Sequence, residues 1–221
     1  MRSRILTAVC LFFCVCSGAF AQSFDTQGLP PEAYYLVPEF KQGMIYFNGS
    51  VPAQGKLNIC ALDNTLRFID NNGKELEATN IENVIKVRID TVLFMRSGGL
   101  FYRMYPVRGD VGVALKRDVK FIKEGKTGAY GTSSQTASIR ENNSVYADGI
   151  SYDLHKDKET KYEIAETLYL YRGDDVYTLN KNNLRRVFPG RKAEIDAWFK
   201  SGNSLPDTLP ETLALLKGWA E

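Results

Sequence analysis

The stretch "VIKVRIDTVLFMRSGGLFYRMYPVRGDVGVALK", Val84–Lys116, decides the fold class. In its first seven residues Val84, Lys86, Arg88 and Asp90 alternate with Ile85, Val87 and Ile89. A period of two gives a strand one wet and one buried face. Short apolar runs follow at Thr91–Phe94, Leu100–Val107 and Val111–Lys116. Runs at such close spacing, with turn residues between them and no helical pattern intervening, predict an antiparallel meander rather than strand–helix–strand units.

The β signal begins upstream, near Met44. "MIYFNGSV" and "LRFIDNNGKELEA" each place an Asn-Gly pair, Asn48-Gly49 and Asn72-Gly73, between strand-like flanks. That dipeptide tolerates the positive φ of tight hairpins. A second β pair is predicted at Glu166–Leu179. The tail turns helical: Ile195, Trp198 and Phe199 stand at i, i+3 and i+4, and Gly202 follows where a left-handed cap belongs. Thr208-Leu209-Pro210-Glu211 reads as a capping box, and Leu209, Leu213, Leu216 and Ala220 form one stripe behind it. The expected fold class is α+β: a predominantly antiparallel β meander, as a curved sheet or partly closed barrel, with a C-terminal helical segment. The expected organisation is a signal peptide at 1–21, an antiparallel β domain at 22–180 and a helical C-terminal cap at 181–221.

The leader reading rests on Arg2 and Arg4, the apolar run Ile5–Cys16, and an Ala19-Phe20-Ala21 cleavage pattern. Cleavage is expected between Ala21 and Gln22. The run is too short to span a bilayer, and no later apolar run approaches the ~20 residues a crossing needs, so no transmembrane segment is expected. Cys10, Cys14 and Cys16 follow Val9, Phe13 and Val15, not the small residue that lipid attachment requires.

Removing this segment leaves Cys60 as the one cysteine, with no intramolecular disulfide available. It also removes two of 28 basic residues, leaving 26 against 26 acidic ones. A neutral chain lacks the electrostatic pull of a nucleic-acid binder. No nucleic-acid partner is expected.

Chemical motifs are sparse. Gly125-Lys126-Thr127 has Lys120 where a phosphate-binding loop needs glycine, and there is no His-Glu-x-x-His, Gly-x-Ser-x-Gly or Cys-x-x-Cys. No cofactor, metal or catalytic residue is assigned. The lone histidine, His155, lies in the charged segment "DLHKDK", where a surface position is the simpler reading. Carboxylate pairs for sugar cleavage are compatible with any chain this rich in Asp and Glu. The polar stretch from Gly125 to Lys161 carries Tyr130, Tyr146, Tyr152 and His155 as speculative ligand contacts. Tyr102, Tyr105, Tyr169, Tyr171 and Tyr177 on strands could line an aromatic face, although tyrosine also favours strands for packing alone.

Two Arg-Gly-Asp triplets, Arg108-Gly109-Asp110 and Arg172-Gly173-Asp174, resemble the adhesive signal of matrix proteins. Read as turns, Gly109-Asp110 and Gly173-Asp174 are two-residue hairpin loops with glycine at the position a type II′ turn demands. This register sets Met104 opposite Leu115, Tyr171 opposite Val176, Leu168 opposite Leu179, and Arg172 opposite Asp175 as a charge pair.

The segments "AYYLVPEFKQGMIYFNG", "KLNICALDNTLRFIDNNGKELEA" and "LRRVFPGRKAEIDAWFKSGN" together resemble uncharacterised exported proteins of Bacteroidota-type Gram-negative bacteria. That resemblance implies the periplasm or outer cell surface. It also makes Asp90-Thr91-Val92 and Asp207-Thr208-Leu209 look like O-glycosylation acceptors. The leading expectation is a non-catalytic binding or assembly module whose partner is an envelope protein or glycan. The alternatives are a carboxylate-dependent glycan hydrolase and an Arg-Gly-Asp adhesin.

Overall fold

A computed structural model describes residues 29–122 and 161–220. The predicted leader with Ala21 and Gln22, and the candidates Tyr130, Tyr146, Tyr152 and His155, lie outside the described residues. A four-residue helix α1 (Pro31–Tyr34) precedes ten strands. They are β1 (Lys41–Phe47), β2 (Ala53–Cys60), β3 (Thr65–Ile69), β4 (Glu75–Glu77), β5 (Val84–Ile89), β6 (Val92–Ser97), β7 (Leu100–Arg108), β8 (Val111–Phe121), β9 (Tyr162–Arg172) and β10 (Asp175–Thr178). Helices α2 (Lys181–Val187), α3 (Lys192–Lys200) and α4 (Leu209–Ala220) follow.

All ten strands form one antiparallel sheet in the order β10-β9-β8-β7-β6-β5-β1-β2-β3-β4. It is therefore two meanders, β1–β4 and β5–β10, joined where β5 returns to pair with β1. The sheet is open but strongly curled. Three strands separate β5 from β9, about 19 Å across a flat sheet, yet Lys86 Nζ reaches Asp174 Oδ1 at 2.8 Å.

Register shows which side chains share a face. One face bears two apolar clusters. Ile45, Leu57, Ile59, Leu66, Val87, Ile89, Phe94 and Phe101 form the first, with Val37 of the N-terminal segment. Val111, Val113 and Leu170 form the second with Leu184, Val187, Ile195, Leu216 and Trp219 of the helices. The opposite face carries a smaller cluster of Met95, Tyr102, Met104, Ala114 and Tyr171. Trp198 stacks edge-on against Trp219 at 5.7 Å, locking α3 to α4. Gly202 ends α3 with φ +82°, and its N–H donates to Phe199 O at 3.2 Å. In α4 the buried side chains are Thr212, Leu216 and Trp219, while Leu209, Leu213 and Ala220 of the expected stripe flank them, half-buried.

Two β-bulges correct the simple alternation. Tyr46 pairs with Lys86 and Phe47 with Val84, so Ile85 is the extra residue. The bulge turns Val84 onto the core face, where it is 3% exposed beside Val87 and Ile89, not onto the wet face its parity implies. A second register shift falls between Pro106 and Arg108. Val107 is the extra residue, so Met104 faces Ala114, and Leu115 faces Arg103, instead of Met104 facing Leu115. In both Asn-Gly turns only the glycine takes positive φ, so neither is the two-residue turn that needs both. At Asp70–Lys74 the Asp70 carboxylate accepts the N–H groups of Asn72 and Lys74 at 2.9 and 2.8 Å, which shapes a wider loop. Thr91 lies in the turn between β5 and β6, not in a strand.

Candidate functional site

Gly109-Asp110 and Gly173-Asp174 are the turns of β7–β8 and β9–β10, with Arg108 opposite Val111 and Arg172 opposite Asp175. Gly109 and Gly173 take φ +57° and +63°, while the aspartates do not enter the positive region. Val111 of β8 is also opposite Arg172 of β9, so the two turns lie side by side at one end of the sheet. Gly173 N–H donates to Asp110 O at 2.8 Å.

Both arginines turn to the helix-covered face. Arg108 donates to Ala220 O, at the end of α4. Arg172 donates to Val187 O, at the end of α2, at 3.2 Å, and more weakly to Arg186 O at 3.5 Å. Final helical carbonyls lack intrahelical partners and carry the negative end of the dipole, so a guanidinium is favoured there. The ion pair expected between Arg172 and Asp175 is replaced: Arg172 lies 3.9 Å from Asp110, while Asp175 accepts from the Tyr177 hydroxyl at 3.1 Å. Asp174 pairs with Lys86.

The strand tyrosines do not make one face. Tyr102, Tyr169 and Tyr171 share the face opposite the helices, with Tyr102 and Tyr169 edge-to-face at 5.3 Å. Tyr105 and Tyr177 lie on the other side in the helix-covered cluster. Parity in β7 already separates residue 102 from residue 105. Burial raises the Tyr102 and Tyr171 hydroxyls above their ordinary range, helped by Tyr169 and Asp118 for the first and Asp110 for the second.

On β2–β4 a polar network surrounds Arg67, which is 8% exposed. Its guanidinium meets Asp63 Oδ2 at 2.7 Å and Glu75 Oε1 at 3.2 Å, and Tyr35 Oη donates to Glu75 Oε1 at 2.5 Å. Burial opposes the Arg67 charge, and the Asp63 contact outweighs it, so the guanidinium is held more firmly protonated. Burial, then the bond to Glu75, pushes the Tyr35 hydroxyl far up. Cys60 is fully buried, and burial pushes its thiol up to about 12.

Two further surfaces went unmarked in the sequence. Strand β10 pairs with only Tyr169–Arg172 of β9, so among the described residues the outer edge of Tyr162–Leu168 has no strand beside it. The adjoining part of β8, Lys116–Phe121, pairs only with β9. Among the described residues, this two-stranded ribbon and its end bear three of the four exposed large apolar side chains: Phe121, Ile122 and Ile164. The second surface is arginine-lined. Arg96, Arg103 and Arg117 stand on the core-facing parity of β6, β7 and β8, between the two apolar clusters, beside Phe94, Phe101 and Leu115. The signal for them was that parity: Phe94-x-Arg96, Phe101-x-Arg103 and Leu115-x-Arg117 each put a cation where a strand buries apolar groups.

The fold and these surfaces define an open, curled antiparallel sheet backed by helices. Comparison with protein-family models, with curated proteins and with solved structures finds no match.

Proposed function

We propose that this chain is a non-catalytic binding or assembly module, exported to the periplasm or outer surface of a Gram-negative cell. The observation that carries the reading is the edge of β9 over Tyr162–Leu168, which has no strand beside it among the described residues and carries exposed Ile164, with exposed Phe121 and Ile122 next to it. An unpaired edge presents a row of N–H and C=O groups to which a partner strand adds, and apolar side chains beside it supply selectivity. Export is supported by the leader-like segment. Among the described residues no helix is long and apolar enough to cross a membrane, which suits a peripheral place in the envelope.

Several carboxylates point the same way. Asp63 and Glu75 converge on Arg67, Glu166 on Arg117, Asp118 on Lys116, and Asp174 on Lys86. Groups held in ion pairs are poorly placed for acid–base work on a sugar. The Arg-Gly-Asp arginines are likewise committed to helix ends, so their geometry lends no support to adhesion.

The test is affinity isolation of the tagged protein from its native envelope, beside Ile164→Lys, a change at a half-exposed position. A partner recovered with the wild type and lost with the variant, at equal melting temperature, is the expected result. No specific partner, or glycan turnover abolished by a single carboxylate substitution, would overturn the reading.

A further inference from the structure

We propose that Arg96, Arg103 and Arg117 form a binding site for an oxyanion, a carboxylate or phosphate group carried by the ligand. This rests on the binding-module reading and deepens it by naming the ligand chemistry at a second surface.

The pairing register sets the three arginines on one face of adjacent strands. Arg96 is opposite Phe101, Arg103 is two residues beyond Phe101 and opposite both Phe94 and Leu115, and Arg117 is two residues beyond Leu115 on the same face. Leu36 of the N-terminal segment closes over Phe94, Arg103, Leu115 and Arg117 to leave a small pocket. Aromatic rings flank two of the cations: Arg96 lies 6.0 Å from the Phe101 ring centroid, and Arg103 lies 5.2 Å from that of Tyr105.

Charge is unbalanced there. Arg117 has one carboxylate, Glu166 Oε1, accepting from Nε and Nη2 at 3.1 and 2.9 Å. Among the described residues Arg96 and Arg103 have no hydrogen-bond or ion-pair partner, and Arg96 Nε is a buried donor left unsatisfied. A guanidinium cannot relieve this by losing its proton. Buried donors are ordinarily satisfied, and one that is not marks a place for a missing acceptor. Three cations against one anion leave a net demand for negative charge, and the planar arginine fork suits bidentate pairing with carboxylate or phosphate. Arg67, on distant β3 and the opposite face of the sheet, makes the contrast: it is buried and surrounded by carboxylates of its own chain.

The experiment follows the arginine Nε–H resonances of the full chain by NMR while sodium phosphate, or in a second arm sodium acetate, replaces sodium chloride at constant ionic strength. Saturable shifts confined to Arg96, Arg103 and Arg117 are expected, and Arg103→Gln and Arg96→Gln should each weaken binding roughly tenfold or more. Arg88→Gln, an exposed arginine on the opposite face, should leave binding unchanged. Tighter phosphate assigns a phosphorylated ligand, and tighter acetate a carboxylated one. The proposal fails if neither anion saturates these resonances, or if both Gln variants that fold bind as the wild type does. Loss of anion binding with the envelope partner still recovered overturns this site alone; loss of the partner with anion binding intact overturns the edge-docking reading alone.

Discussion

Arg172 Nε lies 3.9 Å from Asp110 Oδ2, and the residue after it, Gly173, donates its N–H to Asp110 O at 2.8 Å. The two Arg-Gly-Asp turns are thus bound to each other. The cause is the β8–β9 register, which sets Val111 opposite Arg172 and brings the turns level. Neither triplet is a free signal on its own tip. The aspartate of one neutralises the arginine of the other, and both arginines finish at helix ends.

The charges and the glycines of these turns should contribute unequally. Both ion-pair side chains are substantially exposed, so a double-mutant cycle with Asp110→Asn and Arg172→Gln should give a coupling of only about 0.2–1 kcal/mol, falling as salt is added. Gly109→Ala and Gly173→Ala force a β-carbon into positive φ, at about 1–2 kcal/mol each. Denaturant unfolding of the five variants, the double mutant included, checks the order. A coupling larger than either glycine effect would show that charge, not backbone geometry, sets these turns.

Gly112 has a different constraint. A β-carbon there would fall 2.3 Å from Tyr105 O and 2.6 Å from Tyr171 Cε1, so backbone must move and the tyrosine ring must leave its place. Gly112→Ala should therefore lose about 1–3 kcal/mol, the range of overpacked cores. Gly55→Ala is the control in the same sheet, since its nearest neighbour, Leu57 Cδ2, stands at an ordinary 3.6 Å. Equal melting temperatures for the two variants would refute the close approach.

What the sequence reveals is what neighbours in the chain decide. Val87 and Ile89, the turn glycines, and the Ile195–Trp198–Phe199 face follow from period and backbone preference, and the antiparallel sheet with its helical tail follows from them. The return of β5 to β1 is not legible, because that edge is chosen by packing between residues forty positions apart. The bulges at Ile85 and Val107 escape for the same reason: each answers to a partner strand. Arg172 illustrates the limit at a site. Its cross-strand neighbour Asp175 is readable from the hairpin, but its actual partner comes from another hairpin that only the β8–β9 pairing brings alongside.

Arg67 is the buried charge on which the β2–β4 end depends. Arg67→Ala would leave Asp63 and Glu75 facing each other without the cation between them, and loss of one member of a buried pair costs about 3–5 kcal/mol. Arg67→Met keeps the volume but not the charge and should be nearly as damaging, since the carboxylates stay. Combining Arg67→Met with Asp63→Asn and Glu75→Gln should recover part of the loss. No recovery would mean that packing, not charge, is what Arg67 provides.

Cys60 and the buried tyrosines fix how stability depends on alkaline pH. The Cys60 thiol titrates near its ordinary value of about 8.5 in the unfolded chain, and burial pushes it up to about 12 in the fold. Between those values the unfolded state has released a proton that the native state keeps. Stability is therefore fully present below pH ~8.5 and falls as pH rises, by at most about 1.4 kcal/mol per unit for this one group. Tyr35, Tyr102 and Tyr171, all shifted upward, contribute the same sign at pH values above about 10, their ordinary range. Urea unfolding from pH 7 to 10 should show the decline, and Cys60→Ala should flatten the part below pH 10, whatever it loses in packing at neutral pH. Iodoacetamide should likewise label Cys60 at pH 8.5 only through unfolding, so labelling should accelerate with urea. Rapid labelling of the native protein, or an unchanged slope in Cys60→Ala, would show that the thiol titrates in the folded state.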